Sequence, residues 1–193
     1  MSKAVKSIMI VGVGGQGTLL ASRVLGNTLL NRGYDVKISE VHGMSQRGGS
    51  VVTYVRYGEQ VSSPVILDGE ADIILAFEQL EAARYISCLK PGGTMIVNTQ
   101  RIDPMPVITG AMEYPQGLVE SIREKGCKVL AIDALQMAQE AGSVKAVNVV
   151  MIGAMAKYLE LEKDIWLDSV KATVPPKFVE LNVKAFELGY HAE

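Results

Sequence analysis

Cysteine and histidine are scarce in this chain of 193 residues, which carries two of each. Cys88 and Cys127 stand far apart with no C-x-x-C spacing, and His42 and His191 are the only histidines. An iron–sulfur cluster takes about four thiolates from its host, and structural zinc takes about four ligands. Neither can be assembled from this set, so no metal ligands are expected. Two small thiols fit a reducing cytoplasm. An excess of charge of one sign is also missing. Nineteen Lys and Arg face 21 Asp and Glu, for a net charge of −2, so no broad positive field exists to attract nucleic acid or an anionic membrane. No apolar stretch is long enough to span a bilayer. The opening MSKAVKSIMIVGVGG has the basic start and apolar run of a leader. Glycines interrupt that run, however, and no small-residue cleavage site follows, so it reads as mature structure. No nucleophile, base and orienting group occur as a set. His42 is the sole candidate base and has no neighbouring nucleophile. No catalytic residue is expected in this chain.

What the chain does have begins at residues 8–17, IMIVGVGGQG. Ile8, Met9, Ile10, Val11 and Val13 suit a strand buried on both faces, as in a parallel sheet. Gly12, Gly14 and Gly17 follow the G-x-G-x-x-G spacing, with Gly15 and Gln16 between them. In that pattern the first glycine permits a tight turn and the second lets a ligand approach the backbone. The third lets the next helix pack closely on the strand. Residues 18–30 then place Leu19, Leu20, Val24 and Leu25 at helical intervals. Free N–H groups at that helix start can hold a phosphate or carboxylate. The same glycines can also serve only close strand–helix packing.

Further along, strands are expected at 34–40, 50–57, 71–76, 94–97 and 127–132, with helices at 78–89 and 117–125. Lys90-Pro91-Gly92-Gly93 should end the helix before it, and 101–116 is loop-like. From Asp133 the chain is mainly helical. Residues 144–160 are apolar around most of the circumference, so this helix either crosses the core or lies under a partner subunit. Residues 177–188 form an amphipathic terminal helix. No repeat or linker divides the sequence, and 193 residues suffice for one core. The expected fold is a single α/β, Rossmann-like domain over residues 1–193. Its sheet is mostly parallel and doubly wound, and its C-terminal third is helical.

Ligands of open parallel sheets bind at the carboxyl ends of the strands. Those ends carry Gly12–Gly17, Glu40–His42, Glu78 and Asn98. Glu40 lies about where a dinucleotide enzyme places its ribose acid, although it can equally hold the following loop. That loop, HGMSQRGG, adds Ser45, Gln46, Arg47, Gly48 and Gly49 as candidate binding residues. Its glycines expose N–H groups, and Arg47 can make bidentate contacts with a carboxylate or phosphate. The loop can alternatively be a plain β–β connection with Arg47 in an internal salt bridge. On these residues alone, two readings stand: a stand-alone NAD(P)-dependent oxidoreductase using Gly12–Gly17 and Glu40, or a non-catalytic nucleotide- or CoA-binding regulatory module. A third, a subunit of an oxidoreductase complex, comes from the resemblance that follows.

GVGGQG, then EVHGMSQRGGSV, then ADIILAFEQLEAARYISCLKPGGTMIVN together resemble the gamma-type chain of the 2-oxoacid:ferredoxin oxidoreductases, in particular its indolepyruvate-using branch. The resemblance runs from about residue 8 to the C-terminal helix. It implies a small cytoplasmic subunit that is inactive alone and binds no redox cofactor of its own. A large partner would carry thiamine diphosphate and iron–sulfur clusters. The complex would decarboxylate an aryl 2-oxoacid such as indolepyruvate, pass electrons to ferredoxin and form an acyl-CoA. Consistent with this, Asp68-Gly69-Glu70 is not the thiamine diphosphate motif. The resemblance also implies that Gly14–Gly17 and Ser45–Gly49 face the shared cleft, with CoA as a possible contact.

Overall fold

The computed structural model describes residues 4–42 and 48–193, with His42 described in its backbone alone. The first strand, β1 (Lys6–Val13), leads into α1 (Thr18–Asn31), β2 (Asp35–His42), β3 (Ser50–Gly58) and β4 (Ala71–Ala76). Next come α2 (Gln79–Arg84), β5 (Leu89–Asn98), the four-residue α3 (Met105–Ile108), α4 (Leu118–Glu124) and β6 (Lys128–Ile132). Helices α5 (Ala134–Ala141), α6 (Val147–Ala156), α7 (Lys163–Thr173) and α8 (Val179–Tyr190) complete the chain.

The six strands form one sheet in the order β2-β3-β1-β4-β5-β6. Strands β1, β4, β5 and β6 pair in parallel, and β3 runs antiparallel to both β1 and β2. Five strands therefore point the same way. Ile8, Met9, Ile10 and Val11 are fully buried because β1 is central and both faces are covered. Helices α1, α5, α6, α7 and α8 pack on the Ile8/Ile10 face, whereas α2 and α4 pack on the Met9/Val11 face. This is the doubly wound arrangement that the alternation of strands and helices implies.

Three expectations need adjustment. The helix expected at 78–89 stops at Arg84, and a short 3-10 turn (Ile86–Cys88) leads directly into β5. Lys90-Pro91-Gly92-Gly93 does interrupt regular structure, but it does so inside β5. Ala71 pairs with Leu89 and Ile73 with Thr94, so the four residues are extruded from the ladder. Within the loop expected at 101–116, proline at the first turn pre-sets α3.

Within the apolar segment at 144–160, α6 is core, whereas Val144 and Tyr158 at its ends are exposed. Every residue of α6 is buried within this chain alone, so the alternative of an apolar face awaiting a partner does not hold for this helix. The cause lies in α8. Cβ atoms added at Gly153 and Gly189 would lie 2.1 Å from the Phe186 carbonyl oxygen and 1.9 Å from that of Val150. Hydrogen at both positions lets the two backbones touch, and α8 covers the side of α6 that would otherwise need to be polar.

Candidate functional site

The carboxyl edge of the sheet gathers the end of β1, the residues after β4 and β5, and the start of β3. Gly12 is the last but one residue of β1 and does not form the turn. An added Cβ would meet Phe77 Cβ at 2.9 Å and Gln16 Oε1 at 3.0 Å, so its absence permits close packing beneath the turn. The turn proper is Gly14–Gly17. Gly14 donates its N–H to the Gly49 carbonyl at 2.8 Å and accepts from Gly48 N–H at 3.4 Å. Its backbone is therefore committed to the end of the β2–β3 connection. Gly48 and Gly49 thus lie against the glycine turn, as the sequence reading requires. Ser45, Gln46 and Arg47 lie outside the described residues.

Gly17 caps α1 in the left-handed conformation (φ 83°). Its missing side chain makes room for Asn148, whose Nδ2 would be 2.6 Å from an added Cβ. The third glycine therefore admits α6 to the turn, where the sequence pattern had suggested strand–helix packing. The N–H groups of Gly15, Gly17, Thr18 and Leu19 have no acceptor among the described residues. They stand at the positive end of a 14-residue helix, an arrangement that favours an anion.

Gln16 has a supporting role. Its Oε1 accepts Val13 N–H at 2.8 Å, and its Nε2 donates to the Phe77 carbonyl at 2.8 Å and to Gln100 Oε1 at 3.3 Å. Asn98, fully buried at the end of β5, donates to the same Phe77 carbonyl at 3.0 Å and to Gln100 Oε1 at 3.3 Å. Its Oδ1 accepts Ala134 N–H at 3.1 Å. These two amides tie the ends of β1, β4 and β5 to the first turn of α5.

A cleft of about 600 Å³ opens over this edge. The glycine turn and Gly48 form one wall, Gln100 and Ile102 a second, and Lys145 stands on a third beside Val144 and Val147. Its size suits a small organic ligand. Gln100 and Lys145 are not legible as site residues, because one follows β5 and the other lies in the 3-10 turn Val144–Ala146, distant in sequence, and neither belongs to a motif.

Two buried carboxylates brace the edge from below. Glu78 caps α2, with Oε2 accepting Leu80 N–H at 2.7 Å and Glu81 N–H at 3.0 Å. Its Oε1 accepts from Ile102 N–H at 3.3 Å and from the Tyr114 hydroxyl. Burial, then the bond to Glu78, pushes the Tyr114 phenol well above its ordinary range. Glu81 accepts from the Ser50 hydroxyl at 2.5 Å and pairs with Arg84 at 3.3 Å. Burial nevertheless raises its carboxyl above the ordinary value.

Glu40 does not occupy the ribose-acid position. In a dinucleotide fold the second strand adjoins the first, whereas here β3 lies between them. Glu40 instead accepts from the Thr53 hydroxyl of β3 at 3.4 Å. A second cleft, of about 540 Å³, sits at the opposite edge. Three of its charged groups satisfy one another: Asp72 accepts Ser7 N–H at 2.8 Å and pairs with Lys6 and Lys90, while Glu160 also lines the cleft. Among the described residues no group of three or more His, Cys, Asp or Glu could hold a metal ion. Among the same residues no helix is long and apolar enough to cross a membrane.

The indolepyruvate oxidoreductase subunit IorB of Thermococcus kodakarensis is 44% identical over 193 residues, covering 96% of this chain and 95% of that one. Its counterpart from Pyrococcus horikoshii is 45% identical with the same coverage. The ketoisovalerate oxidoreductase subunit VorA of Methanothermobacter marburgensis is 25% identical over 187 residues, which make up 94% of this chain but 35% of that one. Among solved structures, the gamma subunit of keto/oxoacid ferredoxin oxidoreductase from Geobacter sulfurreducens aligns with a TM-score of 0.70 at 28% identity, covering 96% of both chains. The profile of the family described as pyruvate ferredoxin/flavodoxin oxidoreductase matches residues 7–192. Its doubly wound sheet, its glycine turn at the carboxyl edge and this end-to-end match together establish that the chain belongs to the pyruvate ferredoxin/flavodoxin oxidoreductase family.

Proposed function

We propose that this chain is the small subunit of a cytoplasmic indolepyruvate:ferredoxin oxidoreductase that decarboxylates an aryl 2-oxoacid and forms an acyl-CoA. The carrying observation is its match to IorB subunits along nearly the full length of both chains. The NAD-dependent alternative is not favoured, because β3 separates Glu40 from the glycine turn.

Among the described residues no group of three or more His, Cys, Asp or Glu could hold a metal ion, which supports placing the redox cofactors elsewhere. Cys88 ends the 3-10 turn before β5 and Cys127 precedes β6, and burial, the largest influence, pushes the Cys88 thiol upward, away from the thiolate a cluster needs. We therefore assign thiamine diphosphate and the iron–sulfur clusters to a larger partner, which also meets ferredoxin. The contribution of this chain is the anion-receptive cleft. Gly15 and Gly17, whose N–H groups lack an acceptor among the described residues, line it together with Lys145. We assign it an anionic portion of CoA, with Ser45, Gln46 and Arg47 joining the same pocket by their place in the sequence.

Affinity purification of the tagged chain from its native host, followed by cofactor analysis, tests this reading. The expected result is a co-purifying large chain containing thiamine diphosphate and iron. Recovery of this chain alone, with NAD(P)H-dependent turnover, would overturn it.

A further inference from the structure

The segment between β5 and α4 closes on its own base. Ile102 at one end and Tyr114 at the other bind the same buried Glu78 carboxylate oxygen. Arg101 lies over the Tyr114 ring at 4.4 Å and pairs with Asp103 at 2.6 Å. Residues 103–113 therefore project from a fixed clamp beside Ile102 and Gln100, which line the cleft. Inside the projection, α3 supplies one turn, and Met112 N–H returns to the Pro106 carbonyl at 3.0 Å. Met105, Ile108 and Met112 are 65%, 66% and 64% exposed on this short, folded-back segment. No ionisable residue lies between Asp103 and Glu113. Turns and loops are dominated by Gly, Pro, Asn, Asp and Ser. Three large apolar side chains on a clamped tip form a contact surface, and methionine adapts well to a partner's shape.

The comparison with VorA indicates what covers it. There the counterpart of this whole chain makes up 35% of a longer polypeptide, so the rest of that subunit is covalently bound to it. The IorB relatives, named as subunits, are matched over 95% of their own length, so a remainder of the VorA kind would be a separate chain in the complexes they belong to. We infer that the Met105–Ile108–Met112 tip docks into an uncharged, apolar recess on the larger oxidoreductase chain, at the rim of the cleft. This inference rests on the function proposed above.

The test measures the affinity of this chain for the large chain isolated from the same complex. A triple variant, Met105→Ser, Ile108→Ser and Met112→Ser, is compared with a triple leucine control at the same positions. The serine variant should bind about a hundredfold more weakly, since truncating a cluster of buried anchors removes most of their contribution. The leucine variant should bind within about threefold of wild type. Because the side chains are exposed in the isolated subunit, both variants should keep its urea midpoint. Wild-type affinity in the serine variant would overturn the inference while leaving the function intact, because wild type still assembles. Self-association of the isolated wild-type chain, abolished by serine, would assign the tip to a second copy and overturn it too. If wild type captures no large chain, the proposed function falls first, and this inference with it.

Discussion

Gly189→Ala places one methyl group where α8 crosses α6. On the existing backbone its Cβ lies 1.9 Å from the Val150 carbonyl oxygen and 3.0 Å from Ala154 N. The reciprocal change, Gly153→Ala, puts Cβ 2.1 Å from the Phe186 carbonyl oxygen and 2.9 Å from Tyr190 N. All four obstacles are backbone atoms, so no rotamer change relieves them. Restoring an ordinary C···O separation of about 3.3 Å requires the helices to part by more than about 1 Å. That movement loosens the packing of a fully buried helix. Overpacking of this kind costs about 1–3 kcal/mol, occasionally more. Alanine returns roughly 0.5–1 kcal/mol through its better helix propensity. With contacts this short, the upper end of the overpacking range applies, and each variant should lose about 2 kcal/mol or more. The loss is read by urea unfolding, with the fluorescence of Trp166 as probe. Trp166 is the only tryptophan, is fully buried and stacks on Phe186 of α8 with ring centroids 6.5 Å apart. One separation of the helices relieves both clashes, so the double variant should cost less than the sum of the singles. A loss under about 0.5 kcal/mol in either single variant would refute the reasoning, given the usual span of surface substitutions. Strict additivity would refute the shared crossing.

Asn98→Asp places a carboxylate against the Phe77 carbonyl in a fully buried position, so urea unfolding should show a loss of about 3–5 kcal/mol. A loss below about 1 kcal/mol would mean that the amide network does not hold the strand ends. Glu81→Gln tests the buried carboxylate through pH. Burial raises the folded-state pKa of Glu81 against the opposing Ser50 and Arg84 contacts, so its stabilisation is full below the ordinary carboxylate range and is lost as pH rises through the raised value. The melting temperature of the glutamine variant should therefore gain on wild type as pH rises from the ordinary carboxylate range through the raised value, and a pH-independent difference would contradict this. Arg47→Ala should weaken the assembled complex for CoA about tenfold or more, the magnitude of a lost charge-assisted bond. An unchanged KM for CoA would remove Arg47 from the pocket.

The strands were legible because apolar and β-branched runs between glycine breaks have few other uses, and β1, β3 and β4 lie close to where their composition puts them. Their order was not legible. The insertion of β3 between β1 and β2 depends on a connection whose direction no local pattern states, and it removes Glu40 from the position its spacing had implied. The apolar segment at 144–160 revealed its burial but not its cover. The cover comes from Gly189, whose contribution is a missing side chain in another helix. At the site, the glycine turn was legible as a motif, yet its glycines divide the work differently. Gly14 is committed to Gly49, Gly17 to Asn148, and Gln16 to the strand ends. Gln100, Lys145 and the Glu78–Tyr114 clamp depend on contacts between distant segments, which no spacing rule encodes.

The central claim is that this chain serves catalysis only as part of a larger oxidoreductase. It is tested most directly by titrating the purified chain into its separated large partner and following ferredoxin reduction with indolepyruvate and CoA. The account predicts no turnover from this chain alone and activity that rises with added chain to saturation at a fixed stoichiometry. Full activity of the large chain without it, or indolepyruvate turnover by this chain in isolation, would contradict the claim.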